Sequence, residues 1–242
     1  MSMNTGTSDV PRQDFDEIVP TVSGLSGSST SAFLDFFGLA DGIFVVAMTL
    51  LVLGLDVPHL RVATNGALTS ALLHLWPNIT AYALGFCTLF NLWNLYHFIV
   101  RKLQRLDPVL IILNGFFLLF IALIPFMTGV LGRYPEFEVS EILYGITLAA
   151  CTSIGTAALV HARRKNLVKD SAQFLGPIQK WMISGVIGFV ISAAIAVAIA
   201  PVASYILYWL WNLYYWVVVV INRERRARMH AVAERAREHS LD

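Results

Sequence analysis

The sequence predicts an all-α integral membrane protein with six transmembrane helices and both termini cytoplasmic. Three observations predict it. Hydrophobic residues make up 57% of the chain and charged residues 14%, against about 25% charged in soluble domains. The apolar residues fall in helix-length blocks, and about 20 such residues cross a bilayer. The basic residues then alternate along the chain. The connections after the second and fourth spans and the segment after the sixth are rich in Lys and Arg. Those after the first and third carry one arginine each, Arg61 and Arg133, and the one after the fifth carries no charge. Basic flanks stay cytoplasmic, so one even-span orientation fits every connection. The net charge of +1 decides nothing, because distribution matters more than the sum.

Residues 1–31 are polar, rich in Ser and Thr, and carry Pro11 and Pro20. No basic segment leads into an apolar core, so this is read as a mostly disordered tail rather than a signal peptide. The membrane domain is placed at 32–221. Its first span runs from about Ala32 to Leu55 and stops at Gly54, Asp56 and Pro58. Leu68 to Trp76 is too short to cross a bilayer. It either lies at the interface or begins the second span with Pro77 as a kink. The second span is about Asn78 to Ile99, and the third about Pro108 to Leu131, broken near its end by Pro125. Arg133 to Glu141 reads as an acidic, solvated loop carrying Glu136, Glu138 and Glu141. The fourth span is about Ile142 to Val160. A polar connection, Asn166 to Lys180, leads to a fifth span rich in small residues, Trp181 to Ala200. Pro201 marks a tight turn before a sixth span, Val202 to Ile221. Residues 222–242 form a charged, cytoplasmic helical tail, either solvated or touching anionic headgroups.

Chemistry-bearing residues are few. No nucleophile arrangement, phosphate loop or metal spacing is present, and Cys87 and Cys151 sit in apolar runs as buried thiols. No enzyme activity, cofactor, metal or nucleic-acid partner is expected. The first span carries one carboxylate, Asp41, and such a group in a bilayer costs about 2.5–3.5 kcal/mol on insertion scales. At about 100° per residue, Val46, Leu50 and Leu53 share one face with Thr49 beside them, and Asp41 points about 140° away from Val46. That aliphatic stripe either packs on lipid or another helix, or lines an axis shared by several copies, where it forms a hydrophobic constriction. Asn91, Asn94 and His97 broadly share a face of the second span, and Asn114 lies early in the third. They read as an interhelical polar network satisfying Asp41, or as a proton relay or permeation lining.

The run Ala40-Asp41-Gly42-Ile43-Phe44-Val45-Val46-Ala47-Met48-Thr49-Leu50-Leu51-Val52-Leu53 resembles the first-helix signature of the transmembrane-protein-175 family of potassium channels, approximately RxxxFSDGVFAIAITLLVL. LHLWPNITAYALGF resembles that family's second-helix start, and Trp93 and His97 part of its ending. Asn114 with Ala122 to Gly132 resembles the third helix, and Tyr144 the fourth. The resemblance covers roughly residues 33–165. It implies a homotetramer whose first helices line the pore, with Val46, Leu50 and Leu53 as the constriction, Thr49 on the signature threonine, and Asp41 in a network with Asn94, His97 and Asn114. Asp35 stands where the signature has arginine, and Leu39 and Ala40 where it has Phe and Ser. The family's Arg–Asp pair therefore cannot form, and Asp41 relies on Asn94, His97 or Asn114. Val46 in place of isoleucine widens its ring by about one methylene per subunit.

The resulting expectation is a potassium-preferring cation channel, multi-pass in the cell membrane. Its partners are potassium, other monovalent cations and the lipid bilayer. Two other classes stay open: a proton- or cation-coupled transporter using Asp41 and His97, and a non-conducting structural or interaction protein.

Overall fold

The computed structural model describes residues 27–60, 64–168, 172–198, 203 and 205–217. The expected tail before residue 27, the turn at Pro201 and the tail 222–242 lie outside the described residues. The chain separates into an N-terminal unit, Met1–Leu39, and a helical unit, Ala40–Asp242. Phe36 and Phe37 of the first meet edge to face, ring centroids 5.9 Å apart.

The described residues form α1 (Gly27–Leu50), a 3-10 turn (Leu51–Gly54), α2 (Asn65–His74), α3 (Trp76–Val100), α4 (Pro108–Arg133), α5 (Glu138–Arg164) and α6 (Ala172–Ala198). Residues 205–217 are also helical and are termed α7. Five segments are long and apolar enough to cross a membrane, in α1 with its 3-10 turn, α3, α4, α5 and α6. α1 begins inside the stretch expected to be a disordered tail.

The short apolar run before Pro77 is a helix of its own. Thr64 caps α2, its hydroxyl accepting from the Ala67 amide at 3.2 Å, and none of its residues is buried. Pro77 sits in the first turn of α3, where its missing N–H costs nothing. It starts a helix instead of kinking one.

Three expectations need correction. Pro125 does not break the third span: α4 runs unbroken to Arg133. A proline removes one rung of the ladder, and a helix packed among others tolerates that loss. The predicted connection Asn166 to Lys180 is shorter than expected, since α6 already begins at Ala172. The acidic loop is shorter too. Glu138 and Glu141 occupy the first turn of α5, where the helix dipole favours carboxylates. Glu141 is fully buried, and its backbone carbonyl accepts from the Tyr208 hydroxyl at 3.0 Å.

Small residues allow close packing where α3, α4 and the 3-10 turn meet. A Cβ on Gly85 would stand 2.7 Å from the Thr128 hydroxyl oxygen and 3.0 Å from Leu51 Cδ2. Thr128 is buried, and its hydroxyl is committed to the Ile124 carbonyl at 2.9 Å, so it cannot swing aside freely. Gly85→Ala is expected to lower stability by about 1–3 kcal/mol, as overpacking does. Gly115→Ala, with open space around it, should stay within about 0.5 kcal/mol of the parent. Denaturant unfolding in detergent compares the two, and equal values would mean that this contact does not constrain the bundle.

A second packing centre joins α3, α5, α6 and α7 through Leu95, Leu159, Trp181, Met182 and Tyr215, with Trp211 against them. The Trp181 and Trp211 ring centroids lie 4.7 Å apart.

Candidate pore helix and its polar anchor

The α1 segment from Ala40 onward, with the 3-10 turn, has two unlike faces. Ala40, Phe44, Ala47 and Leu51 recur at helical spacing and are buried. Phe44 wedges between Tyr96 of α3 and Phe117 of α4, at ring-centroid distances of 5.8 and 6.3 Å. Tyr96 and Phe117 stack on each other at 5.8 Å. The opposite face is open: Val46 is 53%, Leu50 44% and Leu53 72% exposed. Thr49 is exposed beside them, and its hydroxyl donates to the Val46 carbonyl at 2.8 Å. Of these four side chains, three are aliphatic, and the hydroxyl of the fourth is engaged by its own helix.

Asp41 lies between the two faces. Its Oδ1 accepts from Trp93 Nε1 at 3.0 Å and stands 3.1 Å from His97 Nε2. Trp93 and His97 are one α3 turn apart, with ring centroids at 4.4 Å. The other imidazole nitrogen, Nδ1, lies 3.1 Å from the Trp93 carbonyl. Both ring nitrogens thus face oxygen acceptors, and both contacts are hydrogen bonds only when both nitrogens carry protons. This contact ties α1 to the last turns of α3.

The other expected network residues go elsewhere. Asn94 donates to the Phe90 carbonyl of its own helix at 2.9 Å. Asn114 is buried on α4 and lies against Tyr96. Asn91 turns away from Asp41 toward α7, where its Nδ2 donates to Asn212 Oδ1 at 2.8 Å. Asn212 Nδ2 donates to Thr88 Oγ1 at 3.1 Å and to the Tyr208 carbonyl at 3.0 Å. The Tyr144 hydroxyl reaches Thr88 Oγ1 at 3.4 Å. Thr88, Asn91, Tyr144 and Asn212 are buried, so α3, α5 and α7 share a buried polar centre.

Sequence reasoning missed Trp93 as an Asp41 donor, although its spacing of four from His97 and its indole N–H were available signals. It also missed Asn212, an isolated amide in an aromatic run with no local signal. Among the described residues, no group of three His, Cys, Asp or Glu could hold a metal ion.

Residues 36–125, from α1 through most of α4, match the family model described as endosomal/lysosomal potassium channel TMEM175. A potassium channel of Chamaesiphon minutus is 35% identical over 114 residues, 46% of this chain and 56% of that protein. A potassium channel of Streptomyces collinus is 29% identical over 135 residues, 54% of this chain and 65% of that protein. The aligned stretches thus span less than two thirds of either relative. The fold is similar to a solved TMEM175 homologue from Chamaesiphon minutus, described as a lysosomal potassium-selective channel. The TM-score is 0.68 at 24% identity, covering 77% of this chain and 97% of that one. The first-helix block, the helical fold and the sequence relatives converge on one similarity: residues 36–125 resemble the TMEM175 family of potassium channels, and the fold is that of a solved homologue.

Proposed function

We propose that the chain is a potassium-preferring cation channel whose pore is formed by the α1 helices of a homotetramer. Val46, Leu50 and Leu53 form hydrophobic rings along the axis, with Thr49 beside them. The observation that carries this reading is the open aliphatic face of α1, set opposite a stripe that is fully buried. One helix face encloses nothing. Four copies facing an axis turn it into a constriction that gates by dewetting. Asp41, held by Trp93 and His97, fixes the rotation of that face, while Asn114 supports the Tyr96 side of the same packing and Asn94 completes the polar turn of α3. The membrane domain has six spans, the sixth built around α7, with both termini cytoplasmic and the protein in the cell membrane.

Cation flux into liposomes holding the purified protein tests the reading, with potassium and sodium gradients compared. Passive flux favouring potassium is the expected result. Equal passage of both ions would leave a pore without preference. Saturable, pH-coupled flux would replace the channel with a carrier, and a well-assembled sample with no flux would overturn the proposal.

A further inference from the structure

Six basic residues lie on two short segments that the fold locks together. Residues 101–107 join α3 to α4 and carry Arg101, Lys102 and Arg105; the end of α5 carries Arg163, Arg164 and Lys165. Leu103 and Val168 form an antiparallel bridge, and the Gln104 amide donates to the Leu167 carbonyl at 2.8 Å. Asn166 turns the chain with φ 54°, and the Leu167 amide returns to the Ala162 carbonyl at 2.8 Å. Beneath lies a small apolar layer of Leu110, Ala162 and Leu167, with Leu103, Leu106 and Val168 packed against it.

The one carboxylate on these segments is spoken for. Asp107 caps α4, accepting from the Leu110 amide at 2.8 Å, and its Oδ2 pairs with His161 Nε2 at 2.8 Å. The hydrogen bond from His161, then that from Leu110, hold its carboxyl below the usual carboxylate range. Arg163 turns to Gln179 of α6. Arg101, Arg105, Arg164 and Lys165 remain exposed on the outer surface. Directly below, Val109, Ile112 and Phe116 of α4 are 47%, 59% and 53% exposed, an apolar stripe at helical spacing that descends from the basic rim.

We infer that this double segment is a binding platform for the phosphate headgroup of an anionic phospholipid. Cytoplasmic orientation accounts for the sign of these residues. It does not account for a bridge, an apolar layer and a His161–Asp107 contact joining the two segments. The bridge and the apolar layer hold the two backbones that carry these cations side by side before a phosphate arrives, and juxtamembrane cations attract anionic headgroups. The stripe on α4 selects a lipid over a soluble phosphate, because acyl chains can follow it while the headgroup meets the arginines.

The test is thermal unfolding of the full chain in neutral detergent, titrated with phosphatidylglycerol, phosphatidylcholine or soluble glycerol phosphate. Phosphatidylglycerol should raise the midpoint saturably and the other two should not. Arg101→Gln/Arg105→Gln and Arg164→Gln/Lys165→Gln should each weaken the apparent lipid affinity at least fivefold. Arg133→Gln, which removes a cation paired with Asp56 on the far end of α4, should leave it unchanged. Native mass spectrometry of bound lipid reads the same affinities where a variant unfolds too early. An equal response to glycerol phosphate would overturn the lipid assignment, and so would unchanged affinity in both double variants. The readout is binding alone, so loss of channel activity does not bear on it.

Discussion

Leu50→Asn is expected to raise passive potassium flux about tenfold and to bring sodium flux close to it. A tenfold change corresponds to about 1.4 kcal/mol off the barrier. In the proposed pore the barrier is the cost of wetting an aliphatic ring and of stripping water from the ion inside it. Asparagine presents a donor and an acceptor to that water, so the ring stays wet and no longer discriminates by dehydration. Val46→Asn and Leu53→Asn should act in the same direction. The effect of Val46→Asn should be smaller, because valine already leaves the wider ring. All three positions are exposed in the protomer, so folding should change by no more than about 0.5 kcal/mol. Ile146→Asn is the control, since Ile146 is as exposed but lies on α5. Liposome flux with potassium and sodium gradients measures all four. Unchanged flux in the three α1 variants would show that this face does not line the path, and a matching rise in Ile146→Asn would show a general leak.

Asp41 and the α1 stripe were legible because both depend on periodicity within one helix. Val46, Leu50 and Leu53 share a face wherever that helix sits. Which face is buried was not legible, because apolar residues occupy both sides and lipid is as apolar as a protein interior. The polar residues of α3 show the same limit. Asn91, Asn94 and His97 broadly share a face by spacing, yet successive offsets of about 60° send Asn91 to α7, Asn94 to its own backbone and His97 to α1. Their partners are set by neighbouring helices, and a single sequence does not state which helices are neighbours. Glu141 was misread for a related reason. Charge suggested solvent, whereas the extra turn of α5 before Ile142 carries it into the bundle. In the short connection before that turn, Tyr134 and Phe137 meet edge to face at 6.0 Å.

Asn212→Leu is expected to be the most destabilising single change in the polar centre, at about 2–4 kcal/mol. Two magnitudes compete here. Hydrogen bonds between membrane helices average about 0.6 kcal/mol in double-mutant cycles, because the separated helices also find partners. A buried group left without its partner costs about 1–3 kcal/mol. Asn212 links Asn91, Thr88 and the Tyr208 carbonyl, so its loss strands buried polar atoms on α3. The second term should win. A consequence follows that simple bond counting does not give. Asn91→Leu together with Asn212→Leu should be less destabilised than the sum of the two single variants, by at least 0.5 kcal/mol, because the double change removes both members of the strongest pair. Adding Thr88→Val should bring the bundle closer to the parent than Asn212→Leu alone. Unfolding in bicelles, followed by tryptophan fluorescence, measures the cycle, and coupling of this size is characteristic of residues in one network. Strict additivity would mean that Asn91 and Asn212 act independently. The attachment of α7 to α3 would then rest chiefly on apolar and aromatic packing, the Phe90–Trp216 stack and the Leu95–Tyr215 cluster.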